Sequence, residues 1–359
     1  MEKITHIEKI DIEGLWGKYH IEWHLNPDVN ILAGINGSGK STVLNIIAGV
    51  LTGGNFVGEV DNWIDEVKMS FNDNKMLSFS SNRKTIQNLG EGNTPLNLIN
   101  NLLGTEIENQ ENDSVKFELI QSEQNSNELV LKSSQFRFDG FENLHEDVIS
   151  DVIKIHRIST FEQPIKTQSV TQKHALPEKI KTDLDIQIFE LQRAYLSYQI
   201  NLGKRVEQIF SSGAPIDIKT KRHEIYGKKE RFTQTLNQFF AQTGKTVESD
   251  KSNELVFCQN DKKLTPYQLS SGEKQLLLIL LSALIQDNEP YILIMDEPEI
   301  SLHIDWQEQL IEVIKSLNEN VQVILATHSP ALVMKGWMDK VTEMEDITRK
   351  DIGIFSSYT

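Results

Sequence analysis

The stretch from Gly34 to Ser41 constrains the fold of this chain more than any other. It reads Gly-Ile-Asn-Gly-Ser-Gly-Lys-Ser and meets every fixed position of the phosphate-loop pattern G-x-x-x-x-G-K-[ST]. Residues 29–33 before it are typical of a short apolar strand, and residues 43–49 after it are typical of a helix. A glycine-rich turn between a strand and a helix directs backbone N–H groups at an anion. The sequence therefore predicts a phosphate site; a plain glycine-rich turn with a surface lysine is the alternative.

The residue types within this loop predict separate tasks. The ammonium of Lys40 suits the β- and γ-phosphates of a nucleotide, and the hydroxyl of Ser41 suits Mg²⁺. The residues that we predict to bind nucleotide here are Gly34, Asn36, Gly37, Ser38, Gly39, Lys40, Ser41 and Thr42. Trp16 lies in a predicted turn upstream of the loop. It could contact the adenine or a phosphate, or it could belong to an ordinary surface hairpin.

Charge and cysteine content limit the class of protein. Acidic residues outnumber basic ones, 52 to 36, for a net charge of −16. That balance argues against a surface that coats nucleic acid or an anionic membrane, although a local basic groove could still bind nucleic acid. The one cysteine, Cys258, allows neither an internal disulfide nor a cysteine-based zinc site within one chain. The most apolar run, residues 276–285, is too short to cross a bilayer, so we expect a soluble, cytoplasmic protein without a membrane partner.

The order of the predicted elements indicates an α/β fold with insertions. Strands alternate with helices over residues 254–326, which predicts a mostly parallel core sheet covered on both faces. Short β-type runs around hairpin turns in residues 57–140 predict an antiparallel lobe. From residue 177 onward, apolar residues recur every three or four positions, which predicts two long helices.

These patterns predict the domain organisation. Residues 1–164 and 250–359 would form one domain that contains the antiparallel lobe. Residues 165–249 would form an inserted helical arm or lobe. The apolar stripe of this segment suits either an arm or a surface for a partner, and the pattern does not choose between them.

An acidic pair follows the apolar strand predicted for residues 291–295. Asp296 and Glu297 would then project from the carboxyl end of a buried strand. In a phosphate-loop site the first carboxylate can hold Mg²⁺, and the second can polarise the attacking water. A carboxylate pair after an apolar strand is common by chance, but together with the phosphate loop it predicts nucleotide hydrolysis.

Residues 269–275, which read Leu-Ser-Ser-Gly-Glu-Lys-Gln, resemble the signature sequence of ABC-type ATPases. In that superfamily the motif begins a helix whose N-terminus contacts the γ-phosphate held by the opposite subunit. The resemblance implies that Ser270, Ser271, Gly272 and Glu273 belong to the nucleotide site. Serine at position 271, where transporters usually have glycine, resembles the RecF, Rad50 and OLD-like branch. A simple helix cap is the alternative.

Three further features extend the resemblance. His328, in Thr-His-Ser-Pro, matches the switch histidine that hydrogen-bonds the γ-phosphate. Residues 296–303 resemble the EPE-x-x-LH form found in the OLD-like branch, which implies that Ser301 and His303 approach a dimer seam. Gln163 follows a predicted strand and is the candidate for the Q-loop glutamine, a further ligand of Mg²⁺ or water. The alternative is that Gln163 is merely a polar residue before a proline.

The resemblance covers residues 1–55 and 255–335 and implies a phosphate-loop fold of the ABC-ATPase type. It implies ATP and Mg²⁺ as ligands, with Glu297, His328 and Lys40 as catalytic residues. It also implies a head-to-tail homodimer, or a higher oligomer, with ATP at the seam.

The resemblance also indicates a biological role. Stand-alone ATPases of this shape resemble components of bacterial anti-phage systems of the OLD, Septu and retron-associated kind, in which a separate effector acts. Only 31 residues follow His328, too few for the nuclease domain of OLD proteins. We therefore expect any nuclease to be another polypeptide.

Three other functions stay open at this point. A DNA-repair or recombination clamp of the RecF or SMC type would close on DNA when it binds ATP. A transporter motor would need a membrane partner. The residues of the signature-like sequence and the inserted lobes argue against this function. A scaffold that binds ATP without turnover is disfavoured by the intact Lys40, Asp296 and Glu297.

Overall fold

The computed structural model describes residues 4–52, 64–87, 113–121, 128–141, 152–159, 179–211, 217–249 and 253–350. The chain divides into two compact units. The first unit comprises Met1–Pro27, Asn36–Ile155 and Thr342–Thr359, and the second comprises Asp28–Ile35 and His156–Val341. The phosphate-loop stretch therefore begins in the second unit and continues into the first.

An antiparallel sheet dominates the described part of the first unit. In chain order its strands are β1 (Ile7–Leu15), β2 (Tyr19–His24), β4 (Glu66–Phe71), β5 (Lys75–Gln87), β6 (Asp113–Gln121), β7 (Glu128–Asp139) and β15 (Thr348–Lys350). They lie side by side in the order β15–β2–β1–β4–β5–β7–β6. Helices α1 (Lys40–Leu51) and α8 (Met344–Ile347) belong to the same unit.

Alternation of side chains gives this sheet one apolar face. Val67, Met69 and Phe71 of β4 are fully buried, whereas the residues between them are partly exposed, as a period of two requires. Phe79 of β5 packs on Phe136 of β7 with 4.8 Å between the ring centroids. The strands predicted for the antiparallel lobe are confirmed where the chain is described.

The second unit contains a sheet whose central strands are parallel and buried on both faces. Its strands are β3 (Val29–Ala33), β8 (Ile155–Ser159), β12 (Tyr291–Asp296) and β13 (Val321–Ala326). The short strand β14 (Val341–Glu343), of which only Val341 falls in this unit, completes the hydrogen-bonded order β14–β3–β13–β12–β8. All six residues of β13 are buried. A strand covered on both faces reads as a nearly continuous apolar run. Residues 291–295 and residues 321–326, where Gln322 is the one polar residue, fit this pattern.

Helices surround this sheet within the second unit. They are α2 (Asp183–Ser211), α3 (Ile218–Phe240), α4 (Ser271–Ile285), α5 (Ile304–Gln307), α6 (Leu310–Leu317) and α7 (Pro330–Met334), with a small sheet of β9 (Lys245–Ser249), β10 (Leu255–Gln259) and β11 (Lys262–Leu264). Residues 276–281 of α4 are completely buried, and both long helices α2 and α3 pack against α4. None of the helices in the described ranges is long and apolar enough to span a bilayer.

The α/β fold with a parallel core sheet, an antiparallel sheet and long helices confirms the predicted fold class. One element differs from its prediction. Apolar residues at helical spacing over residues 302–317 favour one helix, but the chain turns at residues 308–309 and forms α5 and α6. The amide of Gln309 donates to the carbonyl of Trp306, three residues back, and this tighter turn interrupts the α-helical pattern. The predicted division into an ATPase domain and an inserted arm stays a prediction.

Candidate functional site

Three parallel strands bring the predicted site segments of the second unit to one edge of the sheet. Leu32 of β3 and Asp296 of β12 are both in register with Ala326 of β13. The amide of Thr327 donates to the carbonyl of Leu32 over 3.2 Å. The segments that follow these strands therefore begin side by side, at the carboxyl edge where α/β sheets bind ligands.

The phosphate loop continues from this edge into α1. Gly39 has φ 103°, and a Cβ there would lie 2.7 Å from the Trp16 ring, so the position requires glycine on both counts. Helix α1 begins without a side-chain cap and has no acidic residue in its first turn. The hydroxyl of Ser38 is buried without a hydrogen-bond partner among the described residues, and Lys40 is only 4% exposed. An uncapped helix start with an unsatisfied buried hydroxyl is suited to an anion.

Trp16 lies against this loop within the first unit. The residue has a positive φ of 54°, its side chain is partly exposed, and its ring meets Tyr19 edge to face at 6.1 Å. The structure thus joins the aromatic turn to Gly39. A contact between Trp16 and the adenine stays a prediction.

Glu297 and His328 come together at the carboxyl edge. The Glu297 carboxylate lies 3.4 Å from Nε2 of His328, and both side chains remain partly exposed. Glu297 also has a positive φ of 47°, and its amide donates to the carbonyl of Ala326 over 2.8 Å. A glutamate in the left-handed region is uncommon, and such strain is concentrated at functional positions. The turn directs this carboxylate at the histidine, so the two groups can act on one water molecule or one phosphate.

Glu299 binds the loop that carries His328. One carboxylate oxygen accepts from the Thr327 hydroxyl at 2.7 Å, from the His328 amide at 2.7 Å and from the Ser329 amide at 3.2 Å. The other oxygen is buried and has no hydrogen-bond partner among the described residues. The segment after β12 and the segment after β13 are therefore joined through one carboxylate.

The side chain of Gln307 forms a second connection between these segments. Its amide nitrogen donates to the carbonyls of Leu302 at 2.8 Å and Glu299 at 3.2 Å. Its oxygen accepts from the Ser329 hydroxyl at 2.6 Å. Because Gln307 is only 8% exposed, all these groups are paired away from solvent.

Ser270 caps the helix that follows the signature-like sequence. Its hydroxyl lies 2.9 Å from one Glu273 oxygen, its amide donates to the same oxygen over 3.0 Å, and the Glu273 amide donates back to the hydroxyl. The helix cap that was the alternative to a nucleotide contact is therefore present. This cap does not exclude the predicted contact of Ser270 with nucleotide. A capping hydroxyl lies beside the N–H groups at the helix start, which face outward and can bind an anion.

Glu273 is held by a set of buried contacts. Its second oxygen accepts from the Thr243 hydroxyl at 2.7 Å and from Lys245 Nζ at 2.9 Å, and the side chain is 1% exposed. Burial by itself raises the pKa of Glu273, but the hydrogen bonds from Lys245, Thr243 and Ser270 outweigh it and hold the pKa below its usual value. This carboxylate therefore stays ionised and orients Ser270. A direct contact with nucleotide stays a prediction.

The first turn of α4 packs directly on the segment that holds the predicted seam residues. A Cβ on Gly272 would overlap the backbone oxygen of Ser301, and the Gln275 side chain donates to the carbonyl of Pro298 over 3.0 Å. His303 is exposed and caps α5 through a hydrogen bond from the Asp305 amide. Glycine is required at position 272 because two backbones approach closely.

Some of the predicted site residues lie outside what the structure describes, and some important ones were missed. Gln163, predicted as a Q-loop ligand, falls outside the described residues. In the sequence Glu299 stands out only as part of the motif of residues 296–303. The motif does not reveal that Glu299 accepts three hydrogen bonds from a loop that is distant in the chain. Gln307 and Lys245 carry no sequence signal of their role, since their partners are far away in the chain.

Comparison with known proteins places this site in a family. Residues 29–334 match the family model described as "AAA domain, putative AbiEii toxin, Type IV TA system". The retron Vc95 probable ATPase of Vibrio cholerae serotype O1 biovar El Tor is 28% identical over 91 residues, which are 22% of this chain and 18% of that protein. A putative ABC transporter ATP-binding protein of Pyrococcus horikoshii is 38% identical over 101 residues, 28% of this chain and 37% of that protein.

A solved structure also resembles the chain over most of its length. It is an Smc head bound to the C-winged helix domain of ScpA, with 14% identity, a TM-score of 0.45 and coverage of 92% of this chain and 91% of that chain. The curated relatives, by contrast, match this chain over well under half of their own length. Because the family model spans most of the chain and includes the phosphate-loop stretch, Asp296, Glu297 and His328, this chain belongs to the AAA-domain family of putative AbiEii toxins and is an ABC-type ATPase by family.

Proposed function

We propose that this chain hydrolyses ATP as a head-to-tail dimer and that it controls a separate effector in a bacterial defence system. The observation that carries the proposal is the pairing of Glu297 with His328, 3.4 Å apart, at the edge of the sheet where the phosphate loop begins. A partly exposed carboxylate beside an imidazole is suited to accept a proton from water and to stabilise developing charge.

The residues of the phosphate loop fit a nucleotide with its metal. Lys40 and the N–H groups at the start of α1 would bind the phosphates. A phosphate oxygen would also supply the hydrogen-bond partner that the buried Ser38 hydroxyl lacks among the described residues. The Ser41 hydroxyl and the Asp296 carboxylate are hard oxygen donors of the kind that Mg²⁺ prefers. When bound, Mg²⁺ would neutralise charge on the β- and γ-phosphates.

Hydrolysis would follow from the placement of Glu297. Its carboxylate accepts a hydrogen bond from water and takes a proton as the water oxygen bonds to the γ-phosphorus. The bond to the oxygen that bridges the β- and γ-phosphates breaks, which releases ADP and phosphate. His328 and Lys40 donate hydrogen bonds to the γ-phosphate oxygens as charge builds on them.

A second copy of the chain would complete each site. Ser270 and Gly272 begin a 15-residue helix, and Gly272 packs against the backbone of Ser301, so both predicted seam segments lie together. We propose that Ser270 of one copy binds the γ-phosphate held by the other copy. Exposed Ile300 and Ile304, which flank Ser301 and His303, provide apolar surface for such a contact.

The proposed defence role draws on the relatives. The family description names a putative toxin of a toxin–antitoxin system, and one relative is a probable ATPase of a retron. For this chain we therefore propose a regulatory ATPase whose effector is a separate protein.

Steady-state ATPase measurements on the wild type and on Glu297→Gln test the catalytic part of the proposal. We expect the wild type to hydrolyse ATP and the variant to lose about 10²- to 10⁴-fold in kcat, because a general base is removed. The variant should keep its Kd for ATP, measured with a fluorescent analogue. Equal, near-zero turnover in both proteins would instead indicate a scaffold that binds ATP without hydrolysing it.

A DNA clamp is the second candidate, and one feature favours it. Helix α3 carries six Lys or Arg residues and two Glu residues in a chain of net charge −16. Titration of Glu297→Gln with duplex DNA, with and without ATP and at two salt concentrations, separates the candidates. Binding that needs ATP and weakens steeply with salt would support a clamp, whereas absence of binding supports effector control.

A further inference from the structure

We infer that Glu299 is a positioning residue for ATP hydrolysis and that its carboxylate holds the switch-histidine loop, residues 327–329, in the reactive arrangement. The inference rests on the proposed hydrolysis and adds a residue with no assigned role in the site. Glu299 lies two residues after the proposed base Glu297, on the same segment.

Within the described residues, the side-chain hydrogen bonds of Glu299 go to the switch-histidine loop. Its Oε1 accepts from the Thr327 hydroxyl at 2.7 Å and from the amides of His328 at 2.7 Å and Ser329 at 3.2 Å. Three hydrogen bonds that converge on one oxygen hold the backbone of the histidine in one position.

The arrangement connects the two groups that would do the chemistry. Glu297 belongs to the segment after β12, and His328 belongs to the segment after β13. Neighbouring parallel strands align these segments as far as Asp296 and Ala326, and a backbone hydrogen bond from the Glu297 amide to the Ala326 carbonyl follows at the end of this register. Beyond that register the Glu299 carboxylate and the Gln307 side chain connect the two segments.

Removal of this carboxylate has a defined consequence. In Glu299→Ala the Thr327 hydroxyl and the His328 amide lose this acceptor, whereas the Ser329 amide keeps its hydrogen bond to Thr327 Oγ1 at 2.9 Å. The loop then has to relax to pair the two donors that are left without an acceptor. His328 Nε2 would then leave its position 3.4 Å from Glu297. Since a displacement of about 1 Å can cost about 100-fold in rate, we expect kcat to fall about 10- to 100-fold. The KM for ATP should change much less, because the phosphate loop itself is intact.

A double-mutant cycle distinguishes positioning of His328 from general damage. The cycle compares wild type, Glu299→Ala, His328→Ala and the double variant in steady-state ATPase assays. If Glu299 acts through His328, the kcat of the double variant lies within about twofold of His328→Ala alone. If the two losses multiply, the inference is overturned.

Two further variants sharpen the test. Glu299→Gln has the same shape and keeps an acceptor oxygen, so it should retain kcat within about threefold. A loss as large as that of Glu299→Ala would overturn the inference, since the charge and not the hydrogen bonds would then matter. Glu308→Ala is the matched control nearby, because the Glu308 carboxylate forms an exposed ion pair with Lys335 at 2.8 Å within the described part of the chain. Its kcat should equal that of the wild type.

Folding and the proposed function are checked separately. Should Glu299→Ala fail to fold, Thr327→Val takes its place in the double-mutant cycle with His328→Ala, because it removes one of the three donors to Glu299. We expect that variant to lose several-fold in kcat and to be non-additive with His328→Ala. A wild type without ATPase activity would refute the proposed function. An active wild type with a fully active Glu299→Ala would refute only the role of Glu299.

Discussion

At the scale of single residues, glycine and charge decide whether the site segments can approach one another. Gly272 allows the first turn of α4 to touch the backbone of Ser301, and Gly39 allows the start of α1 to lie under the Trp16 ring. Glu297 adopts a backbone conformation that glycine adopts more readily, and this places its carboxylate beside His328. Each of these features is a local cost that the surrounding packing has to offset.

The contact at Gly272 leads to a first prediction. Gly272→Ala introduces a Cβ that overlaps the Ser301 carbonyl oxygen, a backbone atom that no rotamer change can move. We expect a loss of about 1–3 kcal/mol in the free energy of unfolding, measured by urea denaturation. Gly203→Ala is the matched control, because a Cβ on that helical glycine meets no atom within 4 Å. That variant should be as stable as the wild type or slightly more so.

His156 leads to a prediction about pH. Burial lowers the pKa of His156 from its ordinary 6.5 to about 4. The folded chain therefore keeps this imidazole neutral, while the unfolded chain takes up a proton as the pH falls below 6.5. The stabilising contribution is complete above pH 6.5 and decreases toward pH 4.

Unfolding at several pH values checks this sign. From pH 7.5 to pH 4.5 the wild type should lose about 2 kcal/mol more stability than His156→Phe, which cannot titrate. The free energies come from urea denaturation of both proteins at each pH. An identical pH slope in the two proteins would contradict the prediction.

At the scale of elements, the start of α4, which carries the signature-like sequence, is held against helix α2 and strand β9. Lys274 forms an ion pair with Asp185 of α2 at 2.9 Å, with side chains 8% and 3% exposed. Lys245 of β9 pairs with Glu273 at 2.9 Å. Buried charges are costly unless they are paired, so these contacts fix α4 against α2 and β9.

The pair of Lys274 and Asp185 yields an element-scale prediction. Asp185→Ala removes the carboxylate while the ammonium remains buried, which should cost about 3–5 kcal/mol of stability in urea denaturation. As a control, Glu224→Ala removes one partner of the exposed pair with Lys221. Such surface pairs contribute about 0–1 kcal/mol, so that variant should unfold almost like the wild type. Equal losses in both variants would mean that burial is not the deciding factor.

At the scale of the whole molecule, the proposed dimer divides each reaction site between two copies. One copy would supply the phosphate loop with Glu297 and His328, and the other would supply Ser270. This division predicts that two different inactive variants can restore each other. The restoration is a property of the assembly and cannot arise within one chain.

Mixing of Lys40→Ala with Ser270→Ala tests this division. In a mixed dimer the phosphate loop of the Ser270→Ala copy meets the intact Ser270 of the Lys40→Ala copy, so one site in two is complete. If copies exchange freely, an equimolar mixture forms about half mixed dimers and should regain roughly a quarter of wild-type activity. Light scattering on the mixture checks the dimer mass. Activity no higher than that of the separate variants would refute the head-to-tail arrangement.

Much of the fold could be predicted from residue patterns. Nearly continuous apolar runs, interrupted in β13 by Gln322, indicate β12 and β13, because strands buried on both faces are mostly apolar. An apolar stripe of period 3.6 indicates α2 and α3. The break between α5 and α6 could not be predicted, because apolar spacing continued through it and the Gln307 contacts that hold the first turn are tertiary.

The sequence by itself determined which chemical groups are present: a phosphate loop, an acidic pair after a buried strand, a switch-type histidine and a signature-like helix start. Each of these is a short motif whose residues are neighbours in the chain, so its chemistry can be read locally. Only the tertiary structure decided how the groups are held. Glu299 reaches the His328 loop, Gln307 reaches Ser329, and Lys245 reaches Glu273. These pairs lie far apart in the chain and meet because the parallel strands and the packed helices bring their ends together.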